Sequence, residues 1–172
     1  MTQWPKQSMA DAFYGNPRGH NGCVNKAWYK ANIITIAPPF KMRFVRPITK
    51  FPIHKKCAEA TREWLHAVWN NAGRDQRLID QWGMNAFSGS YCYRTMRGLQ
   101  KLSMHAYGCA IDFDAPRNGL HDATPYFATL RQEVVEPFLK LGGVWGGDWN
   151  GNGSSADEHR ADGMHFQFAQ LG

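Results

Sequence analysis

The chain has no cysteine pair at C-x-x-C spacing: Cys23, Cys57, Cys92 and Cys109 stand apart. That argues against a cysteine zinc knuckle or a thiol–disulfide redox pair. No apolar run is long enough to span a bilayer, and the opening "MTQWPKQSMADAFYGNPRG" has no apolar stretch of the secretory kind. The expectation is therefore a chain without a signal peptide, made in the cytoplasm, with free and mostly buried thiols. There are no internal repeats and no low-complexity linker. Acidic residues are scarce at the front, where residues 1–66 hold three Asp/Glu against eleven Lys/Arg. The rest of the chain holds eleven against nine, and the whole carries a formal charge of +6. The bias predicts an anionic partner, either nucleic acid or an anionic cell envelope, with a plain solvated face as the alternative.

What is present suits one domain. The 172 residues are enough to bury a core without staples, and seven Trp, ten Phe and six Tyr supply its bulk. Residues 11–32 read as an ordered loop region. "NIITIAPPFKMRFV" reads as extended chain broken at Pro38 and Pro39, and Pro47 to His54 as a further strand. Cys57, Ala60, Trp64 and Val68 recur at helical spacing from about Lys56 to Asn70, with Gly73 as a stop. A second short helix is expected from Asp75 to Trp82. "NAFSGSYCYR" reads as a strand, as do residues 109–113 with Ala110 and Asp112 on one face. Pro125 to Leu141 reads as a helix kinked by Pro137. A glycine-rich loop, "GGVWGGDWNGNGSS", leads to a last strand, "MHFQFAQ", with His165 and Gln167 on one face. The mixture predicts an α+β fold with a small antiparallel sheet flanked by helices.

"LSMHAYGCAID", residues 102–112, places an aspartate in mostly apolar chain, where an unpaired carboxylate is costly. A turn at Gly108 brings His105 back over the face of Asp112, and Ala110 leaves room there for an ion. "DGMHFQ" supplies a second half, with Asp162 three residues before His165. His105, Asp112 and His165 together offer two nitrogens and one oxygen, a donor set that suits Zn²⁺ and leaves a fourth position for water. Asp162, one tight turn before His165, is then free to act as general base. The remaining histidines, His20, His54, His66, His121 and His159, read as satisfied polar groups. Asp148, Asn150, Asn152 and Ser154 alternate like the start of a calcium loop, but position twelve is His159 rather than Glu. An Asn/Gly turn is the competing reading there.

The pattern S-x-H-x-x-G-x-A-x-D (Ser103, His105, Gly108, Ala110, Asp112) followed by D-x-x-H (Asp162, His165) resembles the zinc D-alanyl-D-alanine carboxypeptidase family. That family shares its fold with the hedgehog signalling domain. The resemblance covers about residues 84–168. "YCYRTMRG" and "GGVWGGDW" look most like its phage endolysin branch, which cuts the L-alanyl-D-glutamate bond of peptidoglycan. It implies His105, Asp112 and His165 as zinc ligands and Asp162 as catalytic acid/base. It implies Arg94 as the arginine that binds substrate oxygen, with Arg97 a rival for that role because "R-x-x-R" leaves the register open. Ser103, Gln167 and Trp149 join Arg97 as candidate substrate contacts.

Residues 1–50 do not match the family's common motifs and are expected to pack on the core as part of one domain, 1–172. No wall-binding repeat is present. The implied protein is a monomeric, single-domain lysin acting on peptidoglycan in the periplasm or cell wall, helped across the membrane by a holin-type partner and having no specific nucleic-acid target. A D,D-carboxypeptidase on the same scaffold is the nearest alternative. A non-catalytic hedgehog-like or virion structural module is another.

Overall fold

The computed structural model describes residues 3–156 and 158–172. Two short helices, α1 (Ala10–Tyr14) and α2 (Lys26–Asn32), occupy the region expected to be loop. Asn25 starts α2 by accepting hydrogen bonds from the amides of Ala27 and Trp28. The aromatic residues of this region do not tail away. Trp4 packs on Phe168 with ring centroids 4.6 Å apart and donates its indole N–H to the Leu141 carbonyl at 2.8 Å. Tyr14 donates to the Phe168 carbonyl at 2.6 Å.

Two antiparallel hairpins follow. Strand β1 (Ile33–Ile36) pairs with β4 (Phe51–His54), and between them β2 (Met42–Phe44) pairs with β3 (Arg46–Ile48). The single strand expected from Pro47 to His54 is thus divided between two hairpins. Helix α3 (Ala58–Asn71) buries Ala58, Thr61, Trp64, Leu65 and Val68 on one stripe. Helix α4 (Gln76–Trp82) is capped by the Asp75 side chain and stopped by Gly83 in the left-handed conformation.

The principal sheet has the order β5–β6–β8–β7 and is antiparallel throughout. Its strands are β5 (Phe87–Gly89), β6 (Ala110–Phe113), β7 (Val144–Trp145) and β8 (His165–Gln167). Phe166 on β8 sends its ring into the core, 4.7 Å from Trp64 and 5.3 Å from Phe138 by centroid. The fold is α+β with small antiparallel sheets, as the pattern predicts.

The late helix differs from expectation. Residues 126–139 run as a 3-10 turn (Tyr126–Leu130), a π turn (Arg131–Val135) and a short α-helix, α5 (Glu136–Leu139). Pro137 has no N–H to offer the Glu133 carbonyl four residues back. Asn71 of α3 donates to that carbonyl at 2.9 Å, and Trp64 donates to the neighbouring Val134 carbonyl at 2.9 Å. The irregular segment is held by tertiary hydrogen bonds in place of a continuous helical ladder.

Candidate metal centre

Strand pairing builds half of the site. In the β6–β8 register Asp112 lies directly opposite His165, and Ala110 lies opposite Gln167. The small Ala110 side chain leaves that face open. His105 comes from the 3-10 turn Met104–Tyr107, which Ser103 caps by accepting from the His105 amide at 3.3 Å. Gly108 ends the turn at φ +71°, and a Cβ there would press on Ile33 and on the His54 amide, which donates to the Gly108 carbonyl at 2.7 Å. Glycine is required by both the conformation and the close approach. Tyr107 ties the turn to the N-terminal region by donating to Asp11 at 2.6 Å.

The "NAFSGSYCYR" stretch leaves the sheet after Gly89, which corrects the longer strand expected there. The cause is His105. Its Nδ1 meets the Ser90 carbonyl at 2.6 Å, and its own carbonyl accepts from the Cys92 amide at 3.1 Å. Residues 90–92 wrap the histidine turn instead of extending β5.

Three atoms converge. His105 Nε2 lies 3.2 Å from His165 Nδ1 and 3.2 Å from Asp112 Oδ1, and His165 Nδ1 lies 3.0 Å from Asp112 Oδ1. The outer contacts fix the ring tautomers. In the neutral ring His105 donates from Nδ1 to Ser90, so its Nε2 presents a lone pair. His165 Nε2 donates to Gln167 Oε1 at 2.9 Å, and Gln167 is oriented by donating its own amide to the Ala169 carbonyl at 2.7 Å. His165 Nδ1 therefore also presents a lone pair. Three acceptors in mutual contact repel one another unless positive charge sits among them. A proton serves one edge of the triangle; a cation at its centre serves all three. Tetrahedral ligands at about 2.0–2.1 Å from zinc lie roughly 3.3–3.4 Å apart, so the triangle is close to the size zinc requires. Among the described residues, this is the one group of three or more His, Cys, Asp or Glu side chains close enough to hold a metal ion. Burial opposes ionisation of Asp112, but where the rings carry protons on the nitrogens that face it, hydrogen bonds from His105 and His165 outweigh burial and hold the carboxyl well below the usual range. Burial likewise opposes charge on His165, and the Asp112 carboxylate outweighs it and raises that ring.

The triangle lies in an open cleft of about 380 Å³. Arg94, Arg97, Ser103, Trp149, Asp162 and Gln167 line the same cleft, so the topology gathers every residue expected at the zinc and substrate positions. Asp162 Oδ1 is buried without a hydrogen-bond partner. Burial pushes its carboxyl upward, His165 pulls it down and the Asp112 charge pushes it up again, with a net rise. Arg97 is near enough for its charge to lower Asp162. Trp149 leans over His165 with ring centroids 5.8 Å apart and donates to the Arg160 carbonyl at 2.7 Å. Gly146 makes this arrangement fit: its carbonyl accepts from the Asp162 amide at 2.7 Å, and a Cβ there would collide with the Asp162 carbonyl and the Trp149 ring.

Two expected roles need correction. Gln167 is only 1% exposed and both ends of its amide are engaged within the protein, so it orients His165 rather than standing free for a substrate. The calcium loop does not assemble. Asp148 Oδ2 faces Arg131 at 3.0 Å and accepts from the Gly153 amide, so a guanidinium already supplies the positive charge. Asn150 Oδ1 accepts from the Asn152 amide, Asn152 Oδ1 from Ser154 and Ser154 Oγ from Ala156, which makes a run of local turns. Reasoning from the sequence also missed Ser90, whose backbone carbonyl orients His105; no side chain marks such a role. Cys57 and Cys109 are buried and Cys23 and Cys92 exposed, all as free thiols.

No curated protein and no solved structure matched the chain. Residues 97–168, under half of the chain, match a family model described as D-alanyl-D-alanine carboxypeptidase, a span that holds all three converging side chains together with Asp162, Arg97, Trp149 and Gln167, and that begins just after Arg94.

Proposed function

We propose that the chain is a zinc-dependent peptidoglycan peptidase of the D-alanyl-D-alanine carboxypeptidase family, of the endolysin type that hydrolyses the L-alanyl-D-glutamate bond of murein stem peptides. The observation that carries the reading is the triangle of His105, Asp112 and His165, two tautomer-fixed imidazoles and a carboxylate facing one point, with the orphaned Oδ1 of Asp162 in the same cleft. Zinc held there supplies a Lewis acid that polarises a carbonyl and lowers the pKa of water toward 7.

The chain's own residues do the rest. Asp162 Oδ1 takes a proton from the attacking water and returns one to the leaving amine. Its upward-shifted carboxyl makes it a stronger base than an ordinary aspartate. Arg97 and Arg94 stand at the cleft to balance charge that develops on the substrate oxygen. Trp149 forms an apolar wall beside His165, and Ser90 and Gln167 hold the two imidazoles in register. In this reading the murein lies beyond the producing cell's membrane, and a holin-type permeabiliser gives access to it.

Digestion of purified murein with mass analysis of the fragments tests the proposal. Release of stem peptides from their L-Ala is the expected result. Loss of terminal D-Ala alone would assign the D,D-carboxypeptidase activity instead. His105→Ala and His165→Ala should each lose both zinc and cleavage, and retention of zinc by the double variant would overturn the ligand assignment.

A further inference from the structure

The β2–β3 hairpin carries an exposed apolar tip. Phe44 is 59% exposed and Val45 85% exposed. Val45 adopts φ +60°, a conformation that costs a β-branched residue energy and that glycine or asparagine would fill without strain. An exposed phenylalanine and a strained, exposed valine at one turn are therefore kept at a cost to stability. The base of the hairpin is firm. Met42 is buried, the Arg43 amide donates to the Asn85 carbonyl at 2.8 Å, and the Lys41 amide donates to Gln76 at 2.9 Å. The tip is thus presented on a fixed stem.

The charged residues of the hairpin itself are all cationic. Arg43 and Arg46 flank the two apolar residues, Lys41 and Lys50 stand just beyond, and all four are exposed. Between Asp11 and Glu59 the sequence contains no acidic residue at all. Among the described residues, neither Arg43 nor Arg46 makes an ion pair. Two apolar side chains at the apex, ringed by unpaired guanidinium groups, match the boundary of an anionic bilayer, where acyl chains lie just beneath phosphate.

We propose that this hairpin is an anchor for anionic phospholipid membranes: Phe44 and Val45 enter the headgroup–acyl boundary while Arg43 and Arg46 pair with lipid phosphates. The anchor does not depend on the peptidase reading, since it needs neither the metal centre nor its cleft.

The test is co-sedimentation of the whole chain with vesicles of phosphatidylcholine containing about 30% phosphatidylglycerol, against vesicles of phosphatidylcholine alone, at low salt. Binding to the mixed vesicles only is expected. Arg43→Gln and Arg46→Gln should each weaken it about fivefold. Phe44→Ser should weaken it about tenfold or more, with the charge unchanged. Val45→Gly is the most telling variant, because it relieves the positive φ and should raise thermal stability while lowering vesicle binding. The proposal fails if Phe44→Ser and Val45→Gly bind like the parent, which would reduce the effect to diffuse attraction by a basic face. It also fails if Lys26→Gln with Lys30→Gln costs as much as the hairpin arginines. Binding of duplex DNA without binding to vesicles would assign the surface to nucleic acid and overturn it.

Discussion

On the zinc reading proposed above, replacing Gln167 with leucine should loosen metal binding without touching any of the three proposed ligands. Gln167 is almost fully buried, accepts from His165 Nε2 at 2.9 Å and donates to the Ala169 carbonyl at 2.7 Å. Leucine is close in volume, so the cavity term is small. What is lost is the acceptor that fixes which nitrogen of His165 carries its proton. A buried N–H left without a partner costs about 1–3 kcal/mol, and the ring recovers it by moving the proton to Nδ1, where it is donated to Asp112 and takes up the lone pair, or by turning Nδ1 away from Asp112 and His105. Loss of such a partner typically lowers metal affinity about 10–100-fold. Gln167→Glu separates positioning from simple stability. The carboxylate still accepts from His165 but cannot donate to Ala169, so zinc affinity should largely return while the unfolding midpoint stays depressed. The assay is zinc competition against a chromophoric chelator, with urea unfolding of each variant alongside. Parental zinc affinity in a folded Gln167→Leu protein would refute the reasoning, as would equal losses of affinity in the two variants.

Asp162→Asn should keep zinc and fold but lose on the order of a hundredfold or more in murein cleavage; release of metal instead would make Asp162 a ligand. His54 is buried between the Tyr14 carbonyl and the Lys56 amide, and burial lowers it to about 4. Its unfolded value is near 6.5, so the unfolded chain takes up the proton first, and stability is full above that pH and falls as pH drops toward 4. The loss is about 3 kcal/mol, and urea unfolding between these limits should show a shallower decline in His54→Gln than in the parent. Trp64→Phe strips a donor from the Val134 carbonyl and removes ring volume from the core, and should cost about 2–4 kcal/mol. Asn71→Ala removes the corresponding bond to Glu133 at the surface, where water can replace it, and should cost about 1 kcal/mol or less. Equal melting shifts for these two variants would contradict the view that burial sets the difference.

The site was legible in the sequence because its members fall in two short motifs whose local geometry is simple. Alternation along a strand puts His165 and Gln167 on one face, and a glycine turn returns His105 toward Asp112. The α+β class followed from periodicities that change between helical and strand spacing, and helices α3 and α4 carried their own stops. Other features depended on partners distant in the chain. Nothing local marks residues 131–135 as a π turn; Pro137 breaks the ladder, and Asn71 and Trp64, more than sixty residues from the carbonyls they meet, determine how the break is filled. The calcium-like spacing at 148–154 does not become a calcium site because Arg131 stands against Asp148. The short helices near the N-terminus are stabilised by burial of Trp4, Tyr14 and Trp28 rather than by helical pattern. Sequence by itself determined which side chains could bind a cation and which residues could form a core. Tertiary structure decided which acceptors were left over to meet at one point, because a hydrogen-bonding group is available to a ligand only after the folded chain has satisfied all the others.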